Sequence, residues 1–282
     1  MKKYFQLIKP GIIFANLISV LGGFFFFQNN YNINFHILFF VLIAISCMIG
    51  SGCIFNNIID IDIDKKMVRT QKRILVKSIV NIFVIKIVAV LLFLFSVLIF
   101  LLQVNILSCL LSILGFFFYV VLYSIYTKRI SIYSTMIGSI SGAIPPMVGY
   151  CSVSNNIDSK SILLFFIFCI WQVPHSYSIY ILYKEDYLLA NIRNIVTVYG
   201  VIETIKQMLF YIIFFTFLIF LLYLLHFIDI KFLIILTVLN FLWLLFTYLF
   251  YIFPIRIFFA KFLFYWSIII IISLNMMFIF YI

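Results

Sequence analysis

Long apolar runs separated by short polar breaks dominate this chain, and each run approaches the roughly 20 residues that a helix needs to cross hydrocarbon. The pattern predicts helices over residues 10–27, 36–57, 79–101, 104–126, 132–150, 161–182, 207–225, 232–252 and 259–281. Pro145 and Pro146, flanked by Gly142 and Gly149, predict a kink or break in the fifth of these. A cavity wall and a purely architectural bend are equal readings of that feature. The expected fold is all-α: a polytopic membrane protein of about nine transmembrane helices in one bundle, forming a single integral membrane domain over residues 1–282.

The polar breaks carry the topological signal. With the N-terminus cytoplasmic, inner segments hold Lys2, Lys3, Lys9, the run Lys65, Lys66, Arg69, Lys72, Arg73 and Lys77, then Lys128, Arg129, Lys184, Arg193, Lys206, Arg256 and Lys261. Outer loops hold only Lys160 and Lys231, and Lys86 falls inside the third span. Positively charged residues favour the cytoplasmic side, which orients the bundle with its C-terminus outside. The Met1-Lys2-Lys3 start leads into an apolar run without a small-residue cleavage site, so the first segment is expected to stay as a helix. An Arg- and Ser-rich transit sequence is missing too, and the expected location is the bacterial cytoplasmic (inner) membrane, multi-pass, with a periplasmic C-terminus.

Composition agrees, since 67% of residues are apolar and only 10% are charged, against roughly 25% charged in soluble domains. Heavy Phe, Ile, Asn and Lys usage is what an A+T-rich genome yields, so the net charge of +11 is weak evidence for an acidic partner and nucleic acid is not an expected one. Cys47, Cys53, Cys109, Cys151 and Cys169 have no CxxC pairing and read as small apolar side chains.

Acidic residues cluster where the positive-inside rule makes no demand for them. Asp60, Asp62, Asp64, Glu185, Asp186 and Glu203 fall on the cytoplasmic side, all six in the two long inner segments near 58–78 and 183–206. A site built from two cytoplasmic loops follows. Carboxylates at the edge of hydrocarbon are costly and are usually retained for a cation or a reaction. Asn56, Asp60 and Asp64 fall at i, i+4 and i+8, one face of a helix, with Asp62 pointing away. One amide and two carboxylates suit Mg²⁺, which is commonly held by carboxylates together with substrate phosphates, and Arg69, Lys72 and Arg73 stand nearby for phosphate oxygens. The bland readings are that topology alone supplies the cations and that the acids pair with Lys65, Lys66 and Arg69.

Asn56-x-x-x-Asp60-x-x-x-Asp64 followed by Arg69-Thr70-x-x-Arg73 resembles the first aspartate-rich motif of the intramembrane aromatic prenyltransferase superfamily, which makes quinones, chlorophylls and haem O. The segments Asn56 to Asp64, Tyr123 to Arg129, Gly142 to Tyr150 and Trp171-Gln172-Val173-Pro174-His175 look like its haem branch, the protoheme IX farnesyltransferases or haem O synthases. The resemblance implies farnesyl transfer from farnesyl diphosphate to the 2-vinyl group of haem B, with diphosphate released and the product feeding haem-copper terminal oxidases. It implies Mg²⁺ at Asn56, Asp60, Asp64 and Asp186, and haem B as substrate, not prosthetic group. Asp60, Asp64, Arg69, Arg73 and Lys128 would carry catalysis, while Asn56, Asp62, Tyr123, Arg129, His175 and Asp186 would bind substrate. Implied partners are the lipid bilayer and, by contact, the proteins of haem A synthesis or terminal-oxidase assembly.

The chain departs from the pattern in the second acidic motif, Asp186-Tyr187-Leu188-Leu189-Ala190, where only Asp186 matches the paired aspartates of the quinone branch. Ile74, Arg193 and Val196 stand where prolines are usual in the family. His175 inside a span needs a polar partner or a ligand, and a packing histidine and a haem contact are both open. The rival readings are a quinone-precursor prenyltransferase, against which Ala190 argues, and a cation transporter, which would place ionisable groups nearer the bilayer midplane.

Overall fold

The computed structural model describes residues 6–27, 33–77, 80–253 and 257–280. Lys2, Lys3 and Arg256, the expected start of the third helix at 79 and the expected end of the ninth at 281 lie outside the described residues. Nine long helices are present among those described: α1 (Pro10–Phe27), α2 (Phe35–Ile59), α3 (Ile82–Gln103), α4 (Ile106–Ile130), α5 (Ser134–Ser154), α6 (Ser159–Leu182), α7 (Ile195–Leu224), α8 (Ile230–Ile252) and α9 (Ile257–Phe280). Each is apolar enough to span a bilayer, so this is a multi-pass membrane protein.

The polar breaks begin helices because they cap them. Asn34, Asn81, Asn105, Asp158, Asn194 and Asp229 all accept a backbone N–H of the first turn that follows. At Asp158 and Asn194 the third helical residue, Ser161 or Thr197, reciprocates. In hydrocarbon an unmet N–H costs several kcal/mol, so a cap side chain at the membrane edge does more than it would in water.

Two expectations need correction. The seventh helix begins at Ile195, not near 207, because Asn194 caps it and its polar first turns, with Glu203 and Lys206, extend beyond the apolar run. Gly200, at φ 83°, interrupts that entry, a backbone state that only glycine takes at little cost. The fifth helix is unbroken through Pro145 and Pro146. The prolines forfeit amides that would have met the carbonyls of Ser141 and Gly142, but dense packing on both sides keeps the backbone helical.

That packing centres on α5, which lies against α1, α4 and α6, while α9 closes the ring between α1, α6 and α8. The α1–α5 contact is backbone on backbone: a Cβ on Gly23 would sit 1.9 Å from the Pro146 carbonyl oxygen, and one on Gly149 would sit 2.1 Å from that of Val20. Small residues let membrane helices approach this closely. On the other side of α2, Ser51 donates to the Ala89 carbonyl and Ser96 to that of Ala44, both at 2.7 Å, tying α2 to α3.

Gly149→Ala should therefore wedge α1 from α5 and cost about 1–3 kcal/mol, read as a lower thermal midpoint of the purified protein in detergent. Gly11→Ala, at a glycine with open space around it, should leave the midpoint where it is. Equal midpoints for both variants would contradict the close backbone contact.

Candidate active site

The carboxylate cluster sits at the join between α2 and the short helix Ile61–Lys66. Asp60 occupies that join at φ −90° and ψ 7°, a small bend that does not interrupt the hydrogen-bond ladder: Asp60 N donates to the Asn56 carbonyl at 3.0 Å and Asp64 N to that of Asp60 at 2.8 Å. Asn56, Asp60 and Asp64 consequently share one face and are buried, Asp60 to 1% exposure. Asp62 points away, with its side chain 60% exposed.

Burying two carboxylates is unfavourable by several kcal/mol per ion unless counter-charges come with them. Here Lys128 pairs with Asp60 Oδ2, which also accepts from Asn56 Nδ2 at 2.8 Å. Arg73 pairs with Asp64 at 2.7 Å. Lys9 donates to Asn56 Oδ1 at 2.6 Å. Two buried acids thus face three cations drawn from three separate segments. Desolvation holds the Lys9 ammonium down to about 8, below the usual lysine value, with Arg73 and Lys128 lowering it further against the pull of Asp60.

Lys128 is delivered by an unusual stretch of α4. Residues Phe118–Thr127 wind as a π-helix, in which the Ser124 and Thr127 hydroxyls donate to the carbonyls five residues earlier, at 2.8 and 2.9 Å. Wide turns of this kind are rare and concentrate at functional sites. This one also brings the Ser124 hydroxyl to Asn56 Nδ2, from which it accepts at 3.0 Å, and stacks Tyr119 on Tyr123 with centroids 6.1 Å apart.

The remaining sequence candidates fall elsewhere. Arg129 grips Asp62 through two bonds of 2.6 and 2.8 Å and also donates to the Ile59 carbonyl, so this pair braces the outside of the join. Its bidentate hydrogen bond holds the Asp62 carboxyl below the usual range against the opposing effect of partial burial. Asp186 is not gathered with Asp60 and Asp64: its oxygens accept from the backbone N–H groups of Val68 and Arg69, at 3.0 and 3.4 Å. Among the described residues no three acidic, histidine or cysteine side chains converge as a metal group. Arg69 lies over the Tyr183 ring, 4.2 Å from its centroid. His175, on α6, has Nδ1 2.8 Å from the Ser267 hydroxyl and is stacked between Trp171 and Phe264.

Lys9, Asn57, Tyr119 and Ser124 are site residues that sequence reasoning missed. Lys9 reads along the chain only as a topological charge, and no spacing links it to Asn56, 47 positions away. The Asn56–Asp64 and Tyr123–Arg129 segments held the available hints, since Asn57 and Ser124 lie inside them.

Two cavities flank the cluster. An apolar one of about 210 Å³ runs into the bundle between Ile45, Met48, Phe116 and Ile144, with Asn16 and Gln172 as polar points. It adjoins the acids on the same face of α2, because Gly52 and Cys53 in its wall are one turn before Asn56. The second, about 180 Å³, is lined by the polar side chains of Gln6, Lys9, Asn57, Asp64 and Arg73 and by apolar Leu7, Ile74 and Leu75. An amphipathic molecule with an anionic head and a long apolar tail suits this pairing.

The geometry therefore defines a class: a helical membrane protein with a cation-rich carboxylate site at the foot of an apolar cavity. The UbiA prenyltransferase family profile matches residues 16–280, and the chain belongs to that family. The chain is 41% identical over 200 residues to the protoheme IX farnesyltransferase of Pectobacterium carotovorum, covering 71% of this chain and 67% of that protein. In fold it is similar to a digeranylgeranylglyceryl phosphate synthase, at a TM-score of 0.79 and 18% identity over 99% of this chain and 96% of that one. It is also similar to a UbiA homologue from Archaeoglobus fulgidus solved with GPP and Mg²⁺, at 0.67 and 15% over 98% and 99%.

Lys128→Met should leave Asp60 buried without its counter-charge and cost about 3–5 kcal/mol, whereas Asp62→Asn, on an exposed pair, should cost under about 1 kcal/mol. Thermal unfolding in detergent measures both. The double variant Asp60→Asn/Lys128→Met should regain most of the loss, and a Lys128→Met protein as stable as its parent would contradict the buried pair.

Proposed function

We propose that the chain transfers the farnesyl group of farnesyl diphosphate to the 2-vinyl group of haem B, giving haem O and diphosphate, at the cytoplasmic face of a bacterial inner membrane. The observation that carries the reading is the junction of a buried, cation-rich carboxylate face with an apolar cavity on the same side of α2. The name of the 41%-identical relatives supports the choice of acceptor.

Asp60 Oδ1 supplies the fit test for Mg²⁺. It is buried and has no hydrogen-bond partner among the described residues, although its sister oxygen has two. A vacant carboxylate lone pair in so dry a place is expensive unless a ligand takes it. Asn56, Asp60 and Asp64 would hold the ion, and Mg²⁺ bound there neutralises the diphosphate as a leaving group. Asp186 serves in this reading as the tie that fixes the Val68–Arg69 backbone, and so the approach of Arg73, instead of as a ligand.

The chain's own residues then do three things. Arg73 and Lys128, already beside the acids, stabilise charge that gathers on diphosphate as the allylic C–O bond breaks. The walls of the apolar cavity keep water from the allylic cation until the vinyl carbon attacks it. The new carbon–carbon bond leaves a cation next to the porphyrin ring, water adds there, and a proton departs, so the product carries a hydroxyethylfarnesyl group. No side-chain nucleophile is required. His175, held by Ser267 and aromatic faces on α6, is the proposed contact for haem.

Purified protein incubated with haem B, farnesyl diphosphate and Mg²⁺ should yield the hydroxyethylfarnesyl haem by chromatography and mass. Asp60→Ala or Asp64→Ala should abolish it, and chelation should stop it reversibly. Haem B returned unchanged while an aromatic acid becomes prenylated would overturn the choice of acceptor.

His175→Ala should raise the apparent KM for haem B and leave that for farnesyl diphosphate unchanged. Equal loss toward both substrates would assign His175 to packing.

A further inference from the structure

One helix face runs the length of the apolar cavity and so gauges its depth. The α2 residues in its wall are Ile45, Met48, Ile49, Gly52 and Cys53, spaced as a single face of the helix. Cys53 adjoins the acids, and Ile45 marks the far end. At about 1.5 Å of rise per residue, the path between them is about 12 Å. On α4 the wall runs in the same sense from Tyr119 to Ser112, since Ser124, on the other side of Tyr119, touches Asn56.

The far end is shut. Ile45 and Ser112 are each 2% exposed, and Ile144 is 3% exposed. A Cβ on Gly115 would lie 3.0 Å from Ile144 Cγ2, so α4 and α5 leave no gap between them at that level. Pro145 is likewise backed by the contact of Pro146 with Gly23 on α1. Ser112 spends its hydroxyl on the Ser108 carbonyl at 2.7 Å and turns only a small side chain toward the cavity. Its size therefore decides where the space ends on the α4 side, as the bulk of Ile45 does on the α2 side.

That depth selects among hydrocarbon chains. Three backbone bonds extend over about 3.3–3.6 Å, so the main chain of a farnesyl group reaches about 12–13 Å, a geranyl group about 8 Å and a geranylgeranyl group about 17 Å. The shorter chain leaves the far end unfilled and forgoes its burial. The longer one has to fold back or displace packed side chains.

We propose that Ile45 and Ser112 are specificity-determining residues that form the floor of the cavity and set the length of the prenyl chain it accepts. The proposal rests on the prenyl diphosphate reading of the site.

Calorimetry in detergent with Mg²⁺ and the thiolodiphosphates of the geranyl, farnesyl and geranylgeranyl chains reads length without turnover. The parent should bind the farnesyl form about 10- to 100-fold more tightly than either of the others. Ser112→Leu raises the floor and should weaken the farnesyl form about 10- to 100-fold while leaving the geranyl form within about threefold of its parent value. Ile45→Ala lowers the floor and should strengthen the geranylgeranyl form about 10-fold. Ser112→Val, a smaller obstacle, should move the preference in the same direction as Ser112→Leu and serves if the larger side chain prevents folding. A parent that binds all three lengths alike, as it would if the tail left sideways past Ile12, which is 43% exposed, would overturn the proposal. Variants that shift every length by the same factor would overturn it too. A parent that binds none of the three in Mg²⁺ would overturn the diphosphate reading, and this one with it.

Discussion

The structure around the site is organised by the need to keep Asp60 and Asp64 charged in a place that water barely reaches. Neither acid is tolerable there alone, so each recruits a cation from a different part of the chain. The demand reaches far. It accounts for a π-wound stretch in α4 that sets Lys128 against Asp60 and for a basic loop that folds back so that Arg73 meets Asp64. Thr70 secures that loop by donating to the Asp64 carbonyl at 3.1 Å, and Asp186 secures it from the far side.

The same arrangement makes the site ready for chemistry. A cluster with more positive than negative charge, beside an apolar cavity, attracts an anion that carries a hydrocarbon tail. The cations that neutralise the acids in the resting protein stand beside the place where negative charge would grow on a leaving group. In the proposed reaction stability and catalysis would thus draw on the same residues, and a preorganised field of this sort needs little rearrangement at the moment of reaction.

The spans and the acidic face were legible along the chain because both follow local rules. Hydrocarbon demands unbroken apolar runs, and Asn56, Asp60 and Asp64 lie on one ladder of hydrogen bonds. What was not legible depends on partners far apart in sequence. Lys9 looks like any topological charge until the fold places it on Asn56. Asp186 looks like a third acid for a metal, yet its partners are backbone amides that no side-chain pattern encodes. The early start of α7 escaped a reading of hydropathy because Asn194 and Gly200, not apolar length, determine it. Arg129 and Asp62, both inside segments that resemble the family, turn out to brace each other away from the buried face.

The central claim is that Asn56, Asp60 and Asp64 form the cation end of a prenyl diphosphate site. An experimental structure with farnesyl thiolodiphosphate and Mn²⁺ in place of Mg²⁺, with anomalous scattering used to locate the metal, tests it most directly. The account predicts a metal peak in contact with Asp60 Oδ1, with the thiolodiphosphate head beside Arg73 and Lys128 and its tail in the apolar cavity. A metal peak at Asp186 with Asp60 Oδ1 still unengaged, or a head group bound away from this face, would contradict it.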